Sequence, residues 1–378
     1  MSGVAARTVL LPGRADAAGT ALYAQLMANV AGQGHFRKFP TEVPEVGELT
    51  VSSVGLGTYL GPETDAADKE YQESMTRALP LGINVFDAAI NYRSMRSERN
   101  VGTALSEAFS GGVISRQQVV VCTKGGFLTF DVKRPANPRQ YVQETYVDSG
   151  IFDWSDFVGG CHCMTPAYIK DQLERSRKNL GLETIDVYYI HNPETQLSAV
   201  SREEFNSRIE KAFSVLEEAV KEGKISVFGV ATWNGFRVPP EDPGHLSLAD
   251  LVKAAQAAGG EGHHFRVVQA PFNLQLQELA DKDTQIVQGQ RMPLVNAAKE
   301  LGVSVIASGS LMQANLARGL PPQIKTYFKA LGDTPTDAQC ALQFVRTTPG
   351  ILTALSGMRQ VSHLEENAGI IHRSALTR

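Results

Sequence analysis

Residues 82–102 read Gly-Ile-Asn-Val-Phe-Asp-Ala-Ala-Ile-Asn-Tyr-Arg-Ser-Met-Arg-Ser-Glu-Arg-Asn-Val-Gly. The apolar run at 83–86 contains β-branched members and is typical of a short buried strand. Asp87 follows this run directly, so its carboxylate is expected where the strand ends and a loop begins. Ser97 is the predicted N-cap of the next helix, which puts Tyr92 in the loop between strand and helix.

The alternation of short apolar runs and amphipathic stretches continues on both sides of this segment. Strands are predicted over 51–57, 83–87, 119–124, 185–190, 226–231, 267–269, 303–307 and 351–355. Helices are predicted over 66–79, 97–109, 203–222, 248–258, 294–301, 337–347 and 362–370, with one more opened by Thr165-Pro166. Eight strand and helix units indicate an α/β fold of the (β/α)8 TIM-barrel type. The alternative, a doubly wound open sheet, lacks a Gly-x-Gly-x-x-Gly fingerprint in its first unit.

The chain is predicted to divide into two parts. Residues 1–48 form a helical extension and connector, and residues 49–378 form the barrel. Leu22, Leu26 and Val30 fall at helical spacing within this extension and predict an amphipathic helix. That helix is expected to pack on the body of the protein or on a partner subunit.

Three connections are longer than ordinary turns. Residues 35–48 contain two prolines and are expected to be extended. Residues 127–164 contain seven aromatic side chains, which is too many for a disordered segment. This loop follows Lys124 directly, so we expect it to cover the mouth of the barrel and to shape the substrate pocket. The connection over 308–336 is expected to flank the same mouth.

Composition limits the classes of partner. Of the 378 residues, 43% are hydrophobic and 20% are charged, and the net charge is -4, which favours an ordinary globular protein rather than one that binds nucleic acid or an anionic membrane. Neither a membrane-spanning run nor a signal peptide is predicted, so the expected location is cytoplasmic. Four cysteines make no disulfide framework. The Cys161-His162-Cys163 cluster lacks a second spaced pair of ligands, and no metal site is predicted.

Four ionisable side chains are predicted to emerge at the same end of the barrel. Asp87 and Tyr92 follow the second predicted strand, Lys124 ends the third, and His191 follows the fourth. Active sites of such barrels lie at the carboxyl ends of the strands. Each residue alone has an ordinary explanation, such as a lysine paired with an aspartate at the rim. The four together favour a catalytic site.

This set suits proton donation to a carbonyl oxygen while hydride arrives at the carbonyl carbon. A nearby ammonium is expected to lower the pKa of Tyr92, which makes it a better proton donor, while Asp87 holds Lys124 in place. His191 is expected to donate a hydrogen bond that orients the substrate oxygen.

The segments 86–92 and 96–102 resemble the signature of the aldo-keto reductase superfamily. The resemblance runs from about residue 49 to residue 371 and includes 176–180, 185–191, 223–230, 269–273 and 356–367. It implies a catalytic tetrad of Asp87, Tyr92, Lys124 and His191, in the order usual for the family.

The resemblance also implies a bound nicotinamide nucleotide and a small carbonyl or alcohol substrate. The implied cofactor contacts are Gly57, Thr58, Tyr59, Asp87, Thr232, Gln269, Ser308, Leu311, Gly357, Met358, Arg359, His363, Glu366 and Asn367. The implied substrate contacts are Tyr59, Trp154, Asn192 and Trp233.

The chain departs from the family at two cofactor positions after predicted strands. The usual Ser-Asn after the fifth strand is Ala231-Thr232, which leaves one hydroxyl for the carboxamide. The usual aromatic platform after the seventh strand is Ser308, and Trp233 or a loop aromatic is expected to substitute.

The adenosine end of the implied cofactor site favours NADP(H) over NAD(H). The position that often carries an arginine for the 2'-phosphate is His363, and Arg359 is a nearby alternative that can bind phosphate in a bidentate way.

The predicted function is an NAD(P)H-dependent oxidoreductase that reduces an aldehyde or ketone to an alcohol, with sugars, glycosides and aromatic ketones as candidate substrates. One alternative is a nucleotide-sensing regulatory subunit, since some family members serve as auxiliary channel subunits. Another is a lyase or isomerase that uses the same acid and base, which Ser308 and Ala231 keep open. The oligomeric state is left open.

Overall fold

In the computed structural model, which describes residues 9–329 and 335–375, eight parallel strands close into a barrel. The strands of the described chain are β1 (Phe36–Pro40), β2 (Glu48–Ser52), β3 (Val54–Gly57), β4 (Val85–Asp87), β5 (Val120–Gly125), β6 (Ile185–His191), β7 (Ile225–Ala231), β8 (Phe265–Pro271), β9 (Gln285–Val287), β10 (Gln290–Met292), β11 (Ser304–Ser308) and β12 (Ile351–Gly357). The barrel runs from β3 through β8 to β11 and β12, and β12 pairs with β3. The predicted (β/α)8 barrel is confirmed.

Helices alternate with the barrel strands. They are α1 (Ala17–Leu26), α2 (Asp65–Ala78), α3 (Arg96–Ser110), α4 (Pro138–Val142), α5 (Pro166–Leu180), α6 (Arg202–Lys221), α7 (Leu248–Gly259), α8 (Glu278–Asp281), α9 (Leu294–Glu300), α10 (Pro322–Lys329), α11 (Asp337–Thr347) and α12 (Val361–Ala368). Several begin at side chains that the sequence favours at helix starts. Thr165, for example, accepts a hydrogen bond from the Tyr168 backbone N–H just before Pro166. No helix of the described chain is long and apolar enough to cross a membrane.

The register of the barrel aligns the carboxyl ends of its strands. Paired residues at this end include Gly357 with Gly57, Gly57 with Asp87, Lys124 with Tyr189, His191 with Ala231, and Ala231 with Gln269. Side chains that are far apart in sequence are thereby brought to one rim.

The interior of the barrel is closed at the opposite end by an N-terminal hairpin. Strands β1 and β2 pair antiparallel, and Phe39, Val43 and Leu49 belong to one buried cluster with interior residues such as Val120 and Val267. The segment 35–48 was predicted as an extended connection, and β1 is extended, but its pairing with β2 was not predicted. The single strand predicted over 51–57 is divided into β2 and β3, because the first part pairs in the hairpin and only the second enters the barrel.

Helix α1 packs on the body of the protein, as predicted, but with a different face. Tyr23 is buried and donates to the Leu79 carbonyl at 2.6 Å, and Thr20 accepts from the Thr50 backbone N–H at 2.9 Å. The predicted apolar stripe is exposed, with exposed fractions of 49% for Leu22, 60% for Leu26 and 43% for Val30. Two specific hydrogen bonds orient the helix, which the apolar spacing did not reveal.

The loop over 127–164 is ordered around its own aromatic cluster. It contains α4 and a π-helical turn, and Tyr146 and Phe152 stack with ring centroids 5.4 Å apart beside Tyr168 of α5. In the connection over 308–336, α10 is described, and residues 330–334 lie outside the described residues.

Candidate active site

Asp87 and Lys124 form a buried ion pair where β4 and β5 end. The Lys124 Nζ donates to Asp87 Oδ1 at 2.6 Å and to the Ala88 carbonyl at 2.8 Å, and Gln269 Nε2 donates to Asp87 Oδ2 at 2.8 Å. Burial lowers the pKa of Lys124, but the Asp87 carboxylate more than offsets this effect, so the pKa lies above its usual value. The lysine is therefore charged inside the protein.

Tyr92 lies beside this ammonium group. The Lys124 Nζ is 4.9 Å from the centroid of the Tyr92 ring, and Tyr59 packs edge-on against the same ring at 5.0 Å. Burial raises the pKa of Tyr92, and Lys124 opposes this rise without overcoming it. The expected lowering of the Tyr92 pKa was wrong in its net direction, because desolvation of the phenolate outweighs the ammonium. The phenol consequently keeps its proton at neutral pH.

His191 faces Tyr92 across the mouth of the barrel. Its ring centroid lies 5.8 Å from that of Tyr92 and 5.0 Å from that of Phe127. The Nδ1 atom is buried and has no hydrogen-bond partner within the described chain, while the backbone carbonyl accepts from His162 Nε2 at 2.8 Å. Burial lowers the pKa of His191 far below its usual value, and Lys124 adds to this effect. The imidazole is therefore neutral.

The loop that carries Tyr92 is tied to the neighbouring strand ends. Helix α3 begins after Met95, so Ser97 is not the N-cap that the sequence predicted. The Ser97 hydroxyl instead donates to the Thr58 carbonyl at 2.7 Å, and the Thr58 hydroxyl donates to the Asp87 carbonyl at 3.0 Å. Position 97 joins two loops of the rim, a role that local helix signals do not indicate.

A cavity of about 610 Å³ opens at this rim. The predicted site residues that line it are Gly57, Thr58, Tyr59, Asp87, Tyr92, His191, Asn192, Thr232, Trp233, Gln269, Ser308, Leu311, Gly357, His363, Glu366 and Asn367. Lys124 lies buried behind Asp87 and Tyr92. Further lining residues include Leu60, Gly309, Ser310, Gln313, Ala314, Ala317, Arg318, Ala338, Leu355 and Ser356. Most of these missed residues follow β11, in the connection over 308–336, where the sequence predicted only Ser308 and Leu311 as contacts.

Besides Lys124, three predicted site residues do not line this cavity. The Trp154 Nε1 donates to Gln143 at 2.8 Å within the long loop, and Arg359 is paired with Glu70 at 3.1 Å. Met358 has a buried side chain. No described residue of the 127–164 loop lines the cavity, so the loop does not form the expected cover. It contacts the site through the Phe127 ring against His191.

The Cys161-His162-Cys163 cluster has a structural role beside the site. His162 Nδ1 accepts from Gln196 Nε2 at 2.9 Å, while its other nitrogen binds the His191 carbonyl. Burial lowers the pKa of His162 to about 4. Within residues 9–329 and 335–375, no group of three or more His, Cys, Asp or Glu side chains is arranged to hold a metal ion.

The lining residues fit a nicotinamide nucleotide. The cavity volume is in the usual range for cofactor sites. The Ser310 hydroxyl is buried without a partner within the described chain, and Arg318 and His363 offer groups that bind phosphate. The Trp233 indole lies close to the end of β11, where Ser308 replaces the aromatic residue usual in the family. A β-carbon placed on the next residue, Gly309, would be 3.9 Å from Trp233 Cη2.

The hydroxyl of Thr232 is already engaged. It donates to the Glu194 carboxylate and accepts from the Gly235 backbone N–H at 2.8 Å. Its proton is therefore not free for a ligand, although the residue lines the cavity as predicted.

The fold and the site together define a (β/α)8-barrel protein with an Asp, Tyr, Lys and His tetrad at the carboxyl end of the barrel. Residues 53–238 match the model of the aldo/keto reductase family. This match to the family model agrees with the aldo-keto reductase resemblance of the sequence.

Known relatives support this placement. The chain is 28% identical over 190 residues to an NADH-specific methylglyoxal reductase of Escherichia coli, covering 49% of each chain. It is 24% identical over 206 residues to an NADPH-dependent aldose reductase of Saccharomyces cerevisiae, covering 50% of each. The chain thus spans about half the length of these curated relatives. The solved structure of an aldo/keto reductase from Klebsiella pneumoniae with NADP and acetate has the same fold, with a TM-score of 0.56, 20% identity and coverage of 89% of this chain and 91% of that one.

Proposed function

We propose that this protein is an NAD(P)H-dependent oxidoreductase that reduces an aldehyde or ketone to an alcohol. The observation that carries the proposal is the arrangement at one end of the cavity, where the Lys124 ammonium, held by Asp87 at 2.6 Å, lies against the Tyr92 ring with His191 opposite. The names of the relatives agree with this reaction. Because the matches cover about half of those proteins, the activity of the whole chain is our proposal.

The proposed roles follow from the charges of the four side chains. Neutral His191 donates a hydrogen bond to the carbonyl oxygen and orients it. Tyr92 gives its proton to that oxygen as negative charge develops there, and Lys124 stabilises the phenolate left behind. Asp87 and Gln269 keep the ammonium in place. Positioned acid catalysis of this type contributes about 10² to 10⁴ in rate.

We infer that the cofactor is NADP(H) in preference to NAD(H). Ser310, Arg318 and His363 would hold its phosphates, and Trp233 would lie beside the ring. When bound, the nicotinamide supplies the hydride that the carbonyl carbon receives. The inference on the 2'-phosphate rests on Arg318 and His363, since Arg359 is paired with Glu70 outside the cavity.

The substrate end of the cavity combines aromatic faces with one amide. Tyr59, Asn192 and Trp233 line it together with Asp87, Tyr92 and His191. Aromatic faces pack against the carbon side of a sugar or an aromatic ring, and an amide binds a hydroxyl or carbonyl group. We infer small carbonyl compounds, with sugar-derived aldehydes as the first class to test.

The test begins with titration of the protein with NADPH and with NADH, following nicotinamide fluorescence. A panel of aldehydes and ketones is then screened for loss of absorbance of the reduced nucleotide. Tyr92→Phe removes the proposed acid while keeping the ring, so turnover should fall by about 10² or more with nucleotide binding nearly unchanged. Tyr141→Phe, in the long loop outside the cavity, is the matched control and should behave like the wild type.

The alternatives give different results in the same experiment. Equal turnover by Tyr92→Phe and the wild type would remove Tyr92 from its role. Nucleotide binding without turnover of any carbonyl would favour a regulatory subunit. No binding of either nucleotide would contradict the oxidoreductase and favour the lyase or isomerase.

A further inference from the structure

The backbone directly after Tyr92 has an uncommon conformation. Arg93, Ser94 and Met95 have φ values of 50°, 52° and 68°, so three consecutive residues with side chains lie in the left-handed region. L-residues rarely adopt this region singly, and a run of three requires support from the surroundings. The turn begins at the proposed catalytic tyrosine and ends where α3 starts.

Ser94 at the centre of the turn donates to Glu63 Oε1 at 2.7 Å, and its carbonyl accepts from the Val132 backbone N–H at 2.9 Å. The residues on either side of Ser94 are held by one buried carboxylate on α2. Asp68 is 2% exposed, and its Oδ1 accepts from Arg93 Nη2 at 2.6 Å and from Asn100 Nδ2 at 2.8 Å. Its Oδ2 accepts from Arg96 Nη1. Asp68 therefore binds the first residue of the turn, together with two residues of the helix that follows.

The same contacts extend to the other side of the tyrosine. Arg93 also donates to the Pro62 carbonyl, from Nε at 3.1 Å and from Nη2 at 2.9 Å. Pro62 follows Tyr59 in the loop after β3, and the Tyr59 ring packs against Tyr92 at 5.0 Å. Asp68 and Arg93 thus join the loop that carries Tyr92 to the loop that carries its aromatic neighbour.

Electrostatics makes this carboxylate difficult to replace. Two guanidinium groups meet Asp68 in a region shielded from water, with side-chain exposures of 2% for Arg93 and 7% for Arg96. Arg96 has a second carboxylate, Asp65, at 3.0 Å, but Asp65 is half-exposed. Without the Asp68 charge, Arg93 would have no ion-pair partner among the described contacts and would gain solvation by leaving the turn.

We propose that Asp68 is a positioning residue for Tyr92, which holds the left-handed turn so that the phenol stays over Lys124 and opposite His191. This proposal rests on the proposed function, in which Tyr92 is the proton donor. Asp68 itself does not line the cavity and acts through Arg93.

The central variant is Asp68→Asn, which keeps the size of the side chain and removes its charge. We expect kcat for carbonyl reduction to fall about 10- to 100-fold, because a displacement of about 1 Å at a reacting group has this effect. The KM and the fluorescence titration for the nucleotide should change less than about twofold, since the side chain of Asp68 bonds to Arg93, Arg96 and Asn100 and to none of the residues inferred to bind phosphate.

Two control variants separate positioning from general loss of stability. Asp65→Asn removes the exposed partner of Arg96 and should leave kcat near the wild-type value. Asp186→Asn breaks a different buried pair, in which Arg116 Nη2 lies 2.8 Å from Asp186 away from the cavity. It should lower the melting temperature without a selective loss of kcat. For each variant, the loss of kcat is compared with the fall in melting temperature. If Asp68→Asn and Asp186→Asn lost the same kcat for the same fall in melting temperature, the proposal would be overturned.

A spectroscopic measurement tests the proposal independently of activity. In protein labelled with ¹³Cζ-tyrosine, the Tyr92 signal is identified as the one absent from Tyr92→Phe. Asp68→Asn should shift or broaden this signal, and Asp65→Asn should leave it in place. An unchanged Tyr92 signal in folded Asp68→Asn, with kcat within about twofold of the wild type, would refute the positioning role.

The outcomes also separate this proposal from the proposed function. Absence of carbonyl reduction by the wild type contradicts the function, while the Tyr92 signal in Asp68→Asn still decides whether Asp68 positions the ring. If Asp68→Asn does not fold, Arg93→Lys serves instead, because it keeps the charge but loses the planar donor pair that binds Pro62. The same displacement of the Tyr92 signal is then expected, and its absence would overturn the proposal.

Discussion

Lys124 carries its charge in the interior because its neighbours are fixed. Its side chain is fully buried, and burial favours the neutral amine. Asp87 reverses this tendency at 2.6 Å, and Gln269 holds the second oxygen of that carboxylate. The result is an ammonium group beside the Tyr92 ring, which would stabilise the phenolate in the proposed mechanism.

Replacing Lys124 by Met should affect both turnover and its pH dependence. In the proposed mechanism, carbonyl reduction requires protonated Tyr92 and is lost as the pH rises through the pKa of this residue, whereas alcohol oxidation requires the phenolate and appears above it. Because Lys124 lowers the Tyr92 pKa, its loss should move the loss of carbonyl reduction and the onset of alcohol oxidation to higher pH. Turnover should fall by about 10² to 10⁴ at the same time. The measurement is kcat in both directions from about pH 6 to 11.

The control for this prediction is Lys133→Met, at an exposed position of the long loop. Its profile should match the wild type. If Lys124→Met kept the wild-type pH profile with only reduced turnover, Lys124 would not act on the ionisation of Tyr92.

Besides the Phe127 ring, the long loop over 127–164 contacts His191 through His162. His162 bridges Gln196 and the His191 carbonyl, with hydrogen bonds of 2.9 and 2.8 Å. Its depressed pKa of about 4 keeps it neutral, so Nε2 donates to the carbonyl while Nδ1 accepts from the amide. The residue that suggested a metal ligand in the sequence is thus a support for the proposed substrate-orienting histidine.

Substitutions at position 162 should distinguish donor loss from space filling. His162→Leu removes the donor to His191 and leaves a buried carbonyl unpaired, so kcat/KM for the carbonyl should fall about tenfold, with a loss of about 1 to 3 kcal/mol in stability. His162→Gln retains a hydrogen-bond donor and should recover part of the lost kcat/KM and part of the lost stability. Steady-state kinetics and denaturant unfolding measure the two effects, and Cys161→Ser is the neighbouring control. Identical kinetics for the Leu and Gln variants would exclude the hydrogen bond as the cause.

At the amino end of the barrel, a buried neutral histidine joins the segment before β1 to the residues before β3 and β4. His35 Nε2 donates to the Gly82 carbonyl at 2.8 Å, and its Nδ1 accepts from the Ser53 hydroxyl at 2.9 Å. Burial, together with Arg346 and Arg37, lowers the pKa of His35 to about 3 despite the bond to Gly82. His35 is therefore neutral in the native protein over the whole range in which an exposed histidine becomes charged.

This depressed pKa predicts acid-dependent stability. Below the ordinary histidine pKa of about 6.5, the unfolded chain binds a proton that the native chain does not. The contribution of His35 is therefore complete above about pH 6.5 and is lost as the pH falls toward about 3, by up to about 1.4 kcal/mol per pH unit. His35→Gln should flatten this part of the curve, whereas the exposed His372→Gln should not. Denaturant unfolding between these pH values measures the slopes, and equal slopes for both variants would contradict the prediction.

Much of the barrel was accessible from local sequence patterns. Buried parallel strands are apolar runs and their helices are amphipathic, so the alternation appears in the sequence without knowledge of contacts. The tetrad was accessible for the same reason, because Asp87, Lys124 and His191 stand where such runs end. The N-terminal hairpin was missed, since its pairing and its burial against the barrel interior depend on residues far along the chain.

The sequence predicted the kind of barrel, the family resemblance and the residues of the proposed tetrad, because strand periodicity and the loop signature are local properties. The folded structure was needed to show that burial raises the Tyr92 pKa, that Thr232 is engaged by Glu194, and that Trp154 and Arg359 lie outside the cavity. It also revealed Asp68, which lies on α2 and reaches the Tyr92 turn only in three dimensions. Desolvation, ion pairing and the filling of a cavity depend on which distant side chains meet, and that information is not contained in the spacing along the chain.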